Sequence, residues 1–239
     1  MTTKKTPTLE VLQKRLIGYN KFLRIALESG WYILPLTIVN LCDLEDKVLG
    51  VYHFIDGSKN ISLYKEMAIL ERAMGLSTTY FFSNAIPIPN SVEMMKFLLE
   101  LGHEPALHLT ILSNAIALQK IPQCIVNEVV NEYRKEGFKL DGVMCSEEPP
   151  IQHMKVTDFS FFSEGGKEKR MEVGVQGGQQ FVFYIGVHPL AEYGFTYSPN
   201  NMEFENTFSD KDQDVLLSGL KTEKGRSSCI MNPQHWEIN

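Results

Sequence analysis

The sequence predicts an α/β protein with a largely parallel sheet, and it favours a (β/α) barrel over an open, doubly wound sheet. Helix-like stretches, glycines and apolar strand-like stretches alternate repeatedly up to residue 145, which is typical of βα units. Polar residues interrupt the predicted strands at or near their carboxyl ends, where barrels build their active sites. Open α/β sheets bind ligands at the same ends, so this second observation favours the barrel without excluding the alternative.

Helical spacing of apolar residues and glycine stops define the helices of the first part of the chain. Helices are predicted over 8–29, from Asn60 to Gly75, from Ser91 to Gly102 and from Pro122 to Gly137. Strands are predicted over 48–56, 78–82, 106–111 and 138–145, and 31–39 is strand-like or irregular around Pro35. His103 follows a predicted helix end and is expected to be a surface or capping residue.

Beyond residue 150 the pattern is weaker. Phe181–Val187 and Ser227–Met231 have the composition of strands, and Asp212–Leu220 could form a short helix. Residues 196–214 are rich in Asn, Ser, Asp and Glu and are expected to be a long surface excursion. No linker divides the chain, so the sequence predicts a single domain over residues 1–239.

Composition limits the classes of function. The 239 residues are 44% hydrophobic, which is enough for one sizeable core. The net charge of −6 and the lack of a long run of Lys and Arg argue against a nucleic-acid partner. No secretory signal or bilayer-spanning stretch is evident, so a soluble, cytoplasmic protein without a membrane partner is expected. The four cysteines are predicted to be free thiols rather than a disulfide framework.

Four motifs occur in order along the chain. The first is Tyr52–Asp56 at the end of a predicted strand, and the second is Ser77–Phe82 after a helix and a glycine. The third is Gly102–His108, and the fourth is Ile230–Trp236. In this order they resemble the polysaccharide deacetylase family of carbohydrate esterases, particularly the branch whose first motif reads Arg-His-Asp-Val-Asp. The resemblance implies a single distorted (β/α) barrel of about seven strands.

The same resemblance implies a metal site. Members of the family remove the acetyl group of N-acetylated sugars with a divalent metal, zinc or similar, which polarises the amide and activates a water. Carried onto this chain, the resemblance assigns metal binding to Asp56 and His108. Glu147 lies near the place where the branch often has a histidine, and it completes a plausible set of oxygen and nitrogen ligands.

Two catalytic positions depart from the family pattern. The general base falls on Phe54 and the acid that protonates the leaving amine falls on Asn232, and neither side chain transfers protons. Losing either role typically lowers the rate by about 10² to 10⁴. The catalytic residues are therefore unknown, with His188 and His235 as candidates. Tyr52 replaces the motif's arginine, which would be an unpaired buried charge without the lost carboxylate.

Each remaining candidate also has a structural interpretation. Asp56 before a glycine suits a turn or a helix cap, and His108 in an apolar strand suits a hydrogen-bonded core residue. His53, Asn84 and Trp236 are candidates for substrate binding. In the family the histidine at the His53 position is mainly structural, and a lone tryptophan is more often a core residue than a sugar platform.

Three functions remain open. The sequence favours a deacetylase-like protein that lacks normal deacetylase activity and binds a carbohydrate or sugar derivative in a pocket at the barrel end. The first alternative is an active metal-dependent hydrolase with rearranged ligands. The second is a non-catalytic assembly protein that uses the barrel as a scaffold, marked by an exposed apolar patch at Tyr193–Tyr197. The sugar, the metal and a homo-oligomeric state are left open.

Overall fold

The computed structural model describes residues 9–43, 45–57, 61–145, 161–162, 169–176, 179–185, 189–211 and 213–232. The chain divides into two compact units. The first unit is Met1–Pro105 with Glu203–Asn239, and the second unit is Ala106–Met202. No helix in the described part of the chain combines the length and the apolar character that crossing a membrane requires.

Helices and strands alternate along most of the chain, which confirms the predicted α/β class. The helices are α1 (Leu9–Glu28), α2 (Leu36–Val39), α3 (Ile61–Ala73), α4 (Ile88–Glu100), α5 (Ile111–Leu118), α6 (Pro122–Lys135) and α7 (Gln213–Thr222). The strands are β1 (Tyr32–Leu34), β2 (Val48–Ile55), β3 (Thr79–Ser83), β4 (Glu104–Leu109), β5 (Val143–Cys145), β6 (Lys169–Gln176), β7 (Gln179–Ile185), β8 (Asn206–Ser209) and β9 (Ser227–Met231).

The first unit is built on parallel strands in the order β3-β2-β9-β8. Strand β2 pairs with β9 on one side, while β1 and then β3 pair with its other side. Every one of these pairs is parallel, as is the pair of β8 and β9. Strand β2 is buried along nearly its whole length, as expected for a parallel strand covered on both faces.

Alternate side chains of β2 point to opposite faces of the sheet. On one face, the His53 ring stacks on Tyr80 of β3 with ring centroids 4.4 Å apart. On the other face, the Phe54 ring lies 5.7 Å from the ring of Tyr52 and 5.8 Å from that of Phe81. The two neighbouring residues His53 and Phe54 therefore belong to different side-chain clusters.

The second unit contains the parallel pair of β4 and β5 and the antiparallel pair of β6 and β7. The residues just before β5 also pair with Tyr197, whose carbonyl oxygen accepts the Val143 N–H at 3.2 Å. An added Cβ at Gly142 would overlap the Tyr197 hydroxyl oxygen. Glycine at this position is therefore required for the close approach of the Tyr197 ring.

Two expectations about elements were wrong, and one helix was not predicted. Residues 196–214 are not only a surface excursion, because they contain β8, a short polar strand in which Phe208 alone is buried. Helix α4 begins at Ile88, just after Pro87, rather than at Ser91. Helix α5 has no counterpart in the prediction, because its short apolar sequence looks like a continuation of the preceding strand.

The apolar patch expected at Tyr193–Tyr197 is also wrong. Tyr193, Phe195 and Tyr197 are buried, and the Phe162 ring contacts the rings of Tyr193 and Phe195. These aromatic residues form part of the core of the second unit. The segment that was expected to form the exposed patch of an assembly scaffold is therefore part of a packed interior.

Candidate functional site

Polar side chains follow four strands of the first unit at the point where each strand ends. Asp56 follows β2, Asn84 follows β3, Asp210 follows β8 and Asn232 follows β9. The strands are parallel and in register, with Ile55 opposite Phe82 and Ser209 opposite Ile230. These side chains therefore share the carboxyl edge of the sheet, which is where α/β proteins bind ligands.

Tyr64 of α3 lies near both carboxylates of this edge. Its hydroxyl donates a hydrogen bond to the carbonyl oxygen of Phe54. Burial raises the pKa of Tyr64, and the negative charges of Asp56 and Asp210 raise it further. Both carboxylates thus lie close enough to the Tyr64 hydroxyl to disfavour its ionisation.

The two carboxylates have different surroundings. Asp56 is exposed, so it can contact a ligand directly. Asp210 is only 1% exposed, and its Oδ2 accepts the backbone N–H of Asn232. Asp210 therefore fixes the start of the segment that follows β9, while Asp56 presents its oxygens to solvent.

Phe54 places an apolar ring at this edge, at the position where the resemblance to the deacetylases predicts a general base. Its ring is half-buried and packs with the rings of Tyr52 and Phe81. An aromatic ring can cover an apolar ligand face, and carboxylate or amide oxygens can accept hydrogen bonds from hydroxyl groups. A phenyl ring cannot accept the proton of a metal-bound water.

The residues assigned to the metal are distributed over the chain as follows. Asp56 lies in the first unit, and His108 is a half-buried residue of β4 in the second unit. Glu147 lies outside the described residues, as do His188, His235 and Trp236. Within the described residues no three His, Cys, Asp or Glu side chains form a group that could hold a metal ion. The metal site and the two catalytic candidates stay predictions.

The substrate-binding candidates differ in location. Asn84 is half-buried at the carboxyl edge. His53 is fully buried on the opposite face of β2 from Phe54, and its Nε2 lies 2.8 Å from Oε1 of Glu71. Contact of either residue with a substrate stays a prediction. His103, which was expected to be a surface or capping residue, is 2% exposed, so the surface alternative is wrong.

Glu71 is the centre of a buried polar cluster, called here the Glu71 cluster. Its Oε1 accepts hydrogen bonds from the Tyr19 hydroxyl and from Nε2 of His53. Its Oε2 accepts from the hydroxyls of Thr78 at 2.8 Å and Tyr80 at 2.7 Å. The members of the Glu71 cluster are Tyr19, His53, Glu71, Thr78, Tyr80 and His103.

These contacts decide the protonation of the cluster. Burial would raise the pKa of Glu71, but His53, His103 and the Tyr19 hydroxyl together hold it below its ordinary value. Burial lowers the pKa of His103, and this outweighs the opposite effect of Glu71. The pKa values of Tyr19 and Tyr80 are raised well above the ordinary value, by burial and by the charge of Glu71. The cluster therefore consists of one buried carboxylate whose oxygens accept hydrogen bonds from the surrounding side chains.

Sequence reasoning missed Glu71 and Asp210. Glu71 stands four residues after the buried Met67, so the helical period alone places it on the buried face of α3. That spacing was a usable signal. Asp210 follows β8, which the sequence did not predict, so nothing in the pattern indicated its position at the carboxyl edge.

Comparisons of the chain with family models, with curated proteins and with solved structures find no match. The resemblance to polysaccharide deacetylases therefore rests on the motifs of the sequence.

Proposed function

We propose that this chain is a polysaccharide deacetylase-like protein with a distorted (β/α) barrel. It lacks normal deacetylase activity and binds a carbohydrate or sugar derivative at the carboxyl edge of the first unit. The observation that carries this proposal is Phe54, an aromatic residue packed at the base position beside the exposed carboxylate of Asp56. This arrangement suits binding better than proton transfer.

The chemistry of the edge supports a sugar ligand. Sugars present hydroxyl groups around the ring and apolar C–H faces above and below it. The edge offers oxygen acceptors at Asp56 and Asn84 and an aromatic ring at Phe54. Binding sites commonly combine an apolar surface with a few placed polar groups in this way.

The missing proton carriers support loss of the family reaction. Phe54 cannot act as a base, and the amide of Asn232 cannot protonate a leaving amine. Asn232 is held in place by its backbone hydrogen bond to Asp210. The edge thus has no titratable side chain at the two positions where the resemblance predicts the base and the acid of hydrolysis.

The proposal is tested by calorimetric titration with a short N-acetylglucosamine oligomer and with its deacetylated counterpart, together with an assay for released acetate. Asp56→Ala is expected to weaken binding of the preferred oligomer by about tenfold or more, since a hydrogen bond to a charged acceptor contributes about 1.5–3 kcal/mol. The matched control is Asp43→Ala, which removes another exposed aspartate from the loop before β2. Its affinity should equal that of the wild type.

Two results would overturn the proposal. Release of acetate by the wild type that disappears in Asp56→Ala would establish an active hydrolase instead. Failure of both oligomers to bind, or equal affinity in Asp56→Ala and Asp43→Ala, would remove the carboxyl edge as the sugar site.

A further inference from the structure

The hydrogen bonds of the Glu71 cluster are complete when Glu71 is ionised. An ionised carboxylate has about four lone-pair positions. Tyr19 and His53 occupy Oε1, and Thr78 and Tyr80 occupy Oε2. A protonated carboxyl group would itself be a donor, so a proton on Glu71 must displace one of these four donors.

The hydrogen-bond partners of His103 determine which of its ring nitrogens carries the hydrogen. Its Nε2 lies 2.9 Å from the carbonyl oxygen of Ala68, so Nε2 carries the hydrogen. Its Nδ1 accepts the backbone N–H of Thr78 at 3.2 Å. A second proton on Nδ1 would oppose that N–H, and the hydrogen bond at the start of β3 would break. The proton would face Oε2 of Glu71, 3.5 Å away, where it would compete with the hydroxyls of Thr78 and Tyr80.

His53 differs from these two groups. Its Nδ1 is buried and has no hydrogen-bond partner within the described structure. A proton at this position would break no existing hydrogen bond, but it would leave a buried donor without an acceptor. The positions where a proton breaks contacts of the cluster are therefore Glu71 and His103.

We propose that the Glu71 cluster is an acid-sensitive latch that holds helix α1 and the start of β3 against α3, and that it opens when a proton reaches His103 or Glu71. Tyr19 brings α1 into the cluster, and Thr78 brings in the residue before β3. The face of α1 that the latch holds is apolar and buried, and it includes Phe22, Leu23 and Ala26. Opening would expose this face.

The direction of the pH dependence follows from the surroundings. The groups that face the cluster are Tyr19 from α1, Tyr64 and Arg72 from α3, His53 from β2, Tyr80 from β3, His103 from the turn before β4 and Cys229 from β9. The pKa of His103 is lowered from 6.5, so the open form binds more protons below about that pH. The pKa of Glu71 is lowered from 4.5 and extends the effect to lower pH.

Hydrogen–deuterium exchange of the whole protein tests the latch. The exchange of peptides from α1 and from residues 77–81, corrected for the intrinsic effect of pH, is compared between about pH 7.5 and about pH 5, a range that spans the ordinary pKa of histidine. If a single proton controls the opening, the population of the open form should rise by up to about tenfold for each unit by which the pH is lowered. Helix α4, which lies outside the cluster, should show no such increase.

Two variants separate the latch from general instability. His103→Gln keeps a donor and an acceptor but cannot titrate, and it should lose the pH dependence of α1 exchange. Tyr19→Phe removes the bond between α1 and the cluster, so α1 exchange should be raised at both ends of the range and its slope with pH should vanish. The matched control is Tyr32→Phe, whose ring is 70% exposed and which should behave as the wild type.

The latch is overturned if α1 exchange in the wild type does not depend on pH. It is also overturned if His103→Gln keeps the wild-type slope. If His103→Gln fails to fold, Tyr19→Phe decides, since an unchanged slope in that variant rules out the latch. The test needs no sugar ligand, so its outcome is independent of the proposed function.

Discussion

At the residue scale, Glu71 is an ionised group in the core of the first unit that is held by donors from several elements. A buried carboxylate is tolerated only when hydrogen bonds and nearby charge replace the lost water. The hydroxyls of Tyr19, Thr78 and Tyr80 and the imidazole of His53 supply that replacement. The energetic role of Glu71 therefore depends on its charge rather than on its volume.

Glu71→Gln is expected to lower the free energy of unfolding by about 3–5 kcal/mol, because the variant keeps the shape but loses acceptors that buried donors require. Urea denaturation at neutral pH measures the effect. The matched control, Glu66→Gln, changes an exposed residue of the same helix and should stay within about 0.5 kcal/mol of the wild type. A change below about 1 kcal/mol in Glu71→Gln would contradict the interpretation.

At the element scale, Glu104 connects α2 and β3 within the first unit. Its carboxylate accepts hydrogen bonds from the hydroxyls of Thr37 and Thr79. The Thr79 oxygen also accepts the backbone N–H of Leu36, the first residue of α2, at 2.8 Å. A helix of four residues gains little from its own hydrogen bonds, so these side-chain contacts hold α2 in place.

Thr79→Val is expected to destabilise the first unit by about 1–3 kcal/mol, since the variant keeps the shape but leaves the Leu36 N–H and the Glu104 carboxylate each without one partner. Thr222→Val, which changes an exposed threonine of α7, is the control. Urea denaturation compares the two variants. Equal stability of both would show that the Thr79 hydroxyl is not needed to hold α2.

Much of the element order was predictable from sequence, because helical spacing and glycine stops are local signals. The glycine stops at Gly30, Gly75, Gly102 and Gly137 all have positive φ, as helix ends favour. Strand β8 was not predictable, because its polar sequence becomes a strand only by pairing with β9. Among the candidate site residues, Asp56 and Asn84 could be identified from the sequence because they stand at the ends of predicted strands. Asp210 could not, because its location depends on the unpredicted pairing of β8 with β9.

At the scale of the whole molecule, acid sensitivity should be visible in global unfolding. Trp31 is buried, and its Nε1 donates a hydrogen bond to the carbonyl oxygen of Leu220 at 2.7 Å. Its fluorescence therefore reports on the first unit. A Trp236→Phe background leaves Trp31 as the single tryptophan, since the chain contains two.

In that background, the free energy of unfolding should fall as the pH is lowered below about 6.5, since His103 binds a proton more readily in the unfolded chain. A second loss of stability is expected below about pH 4.5, because Glu71 also binds a proton more readily in the unfolded chain. His103→Gln should abolish the first loss, and Glu71→Gln should abolish the second. A stability that is constant between about pH 7.5 and about pH 5, across the histidine range, would contradict this assignment.

The pairing of β2 with β9 has a consequence for synthesis of the chain on the ribosome. The second unit is continuous in sequence, whereas the first unit combines Met1–Pro105 with Glu203–Asn239. One edge of β2 has no native partner until Ser227–Met231 has been made, and an open strand edge invites pairing with other chains. The second unit is therefore expected to fold before the last strand of the first unit has been synthesised. A chain truncated before Ser227 should be prone to aggregate.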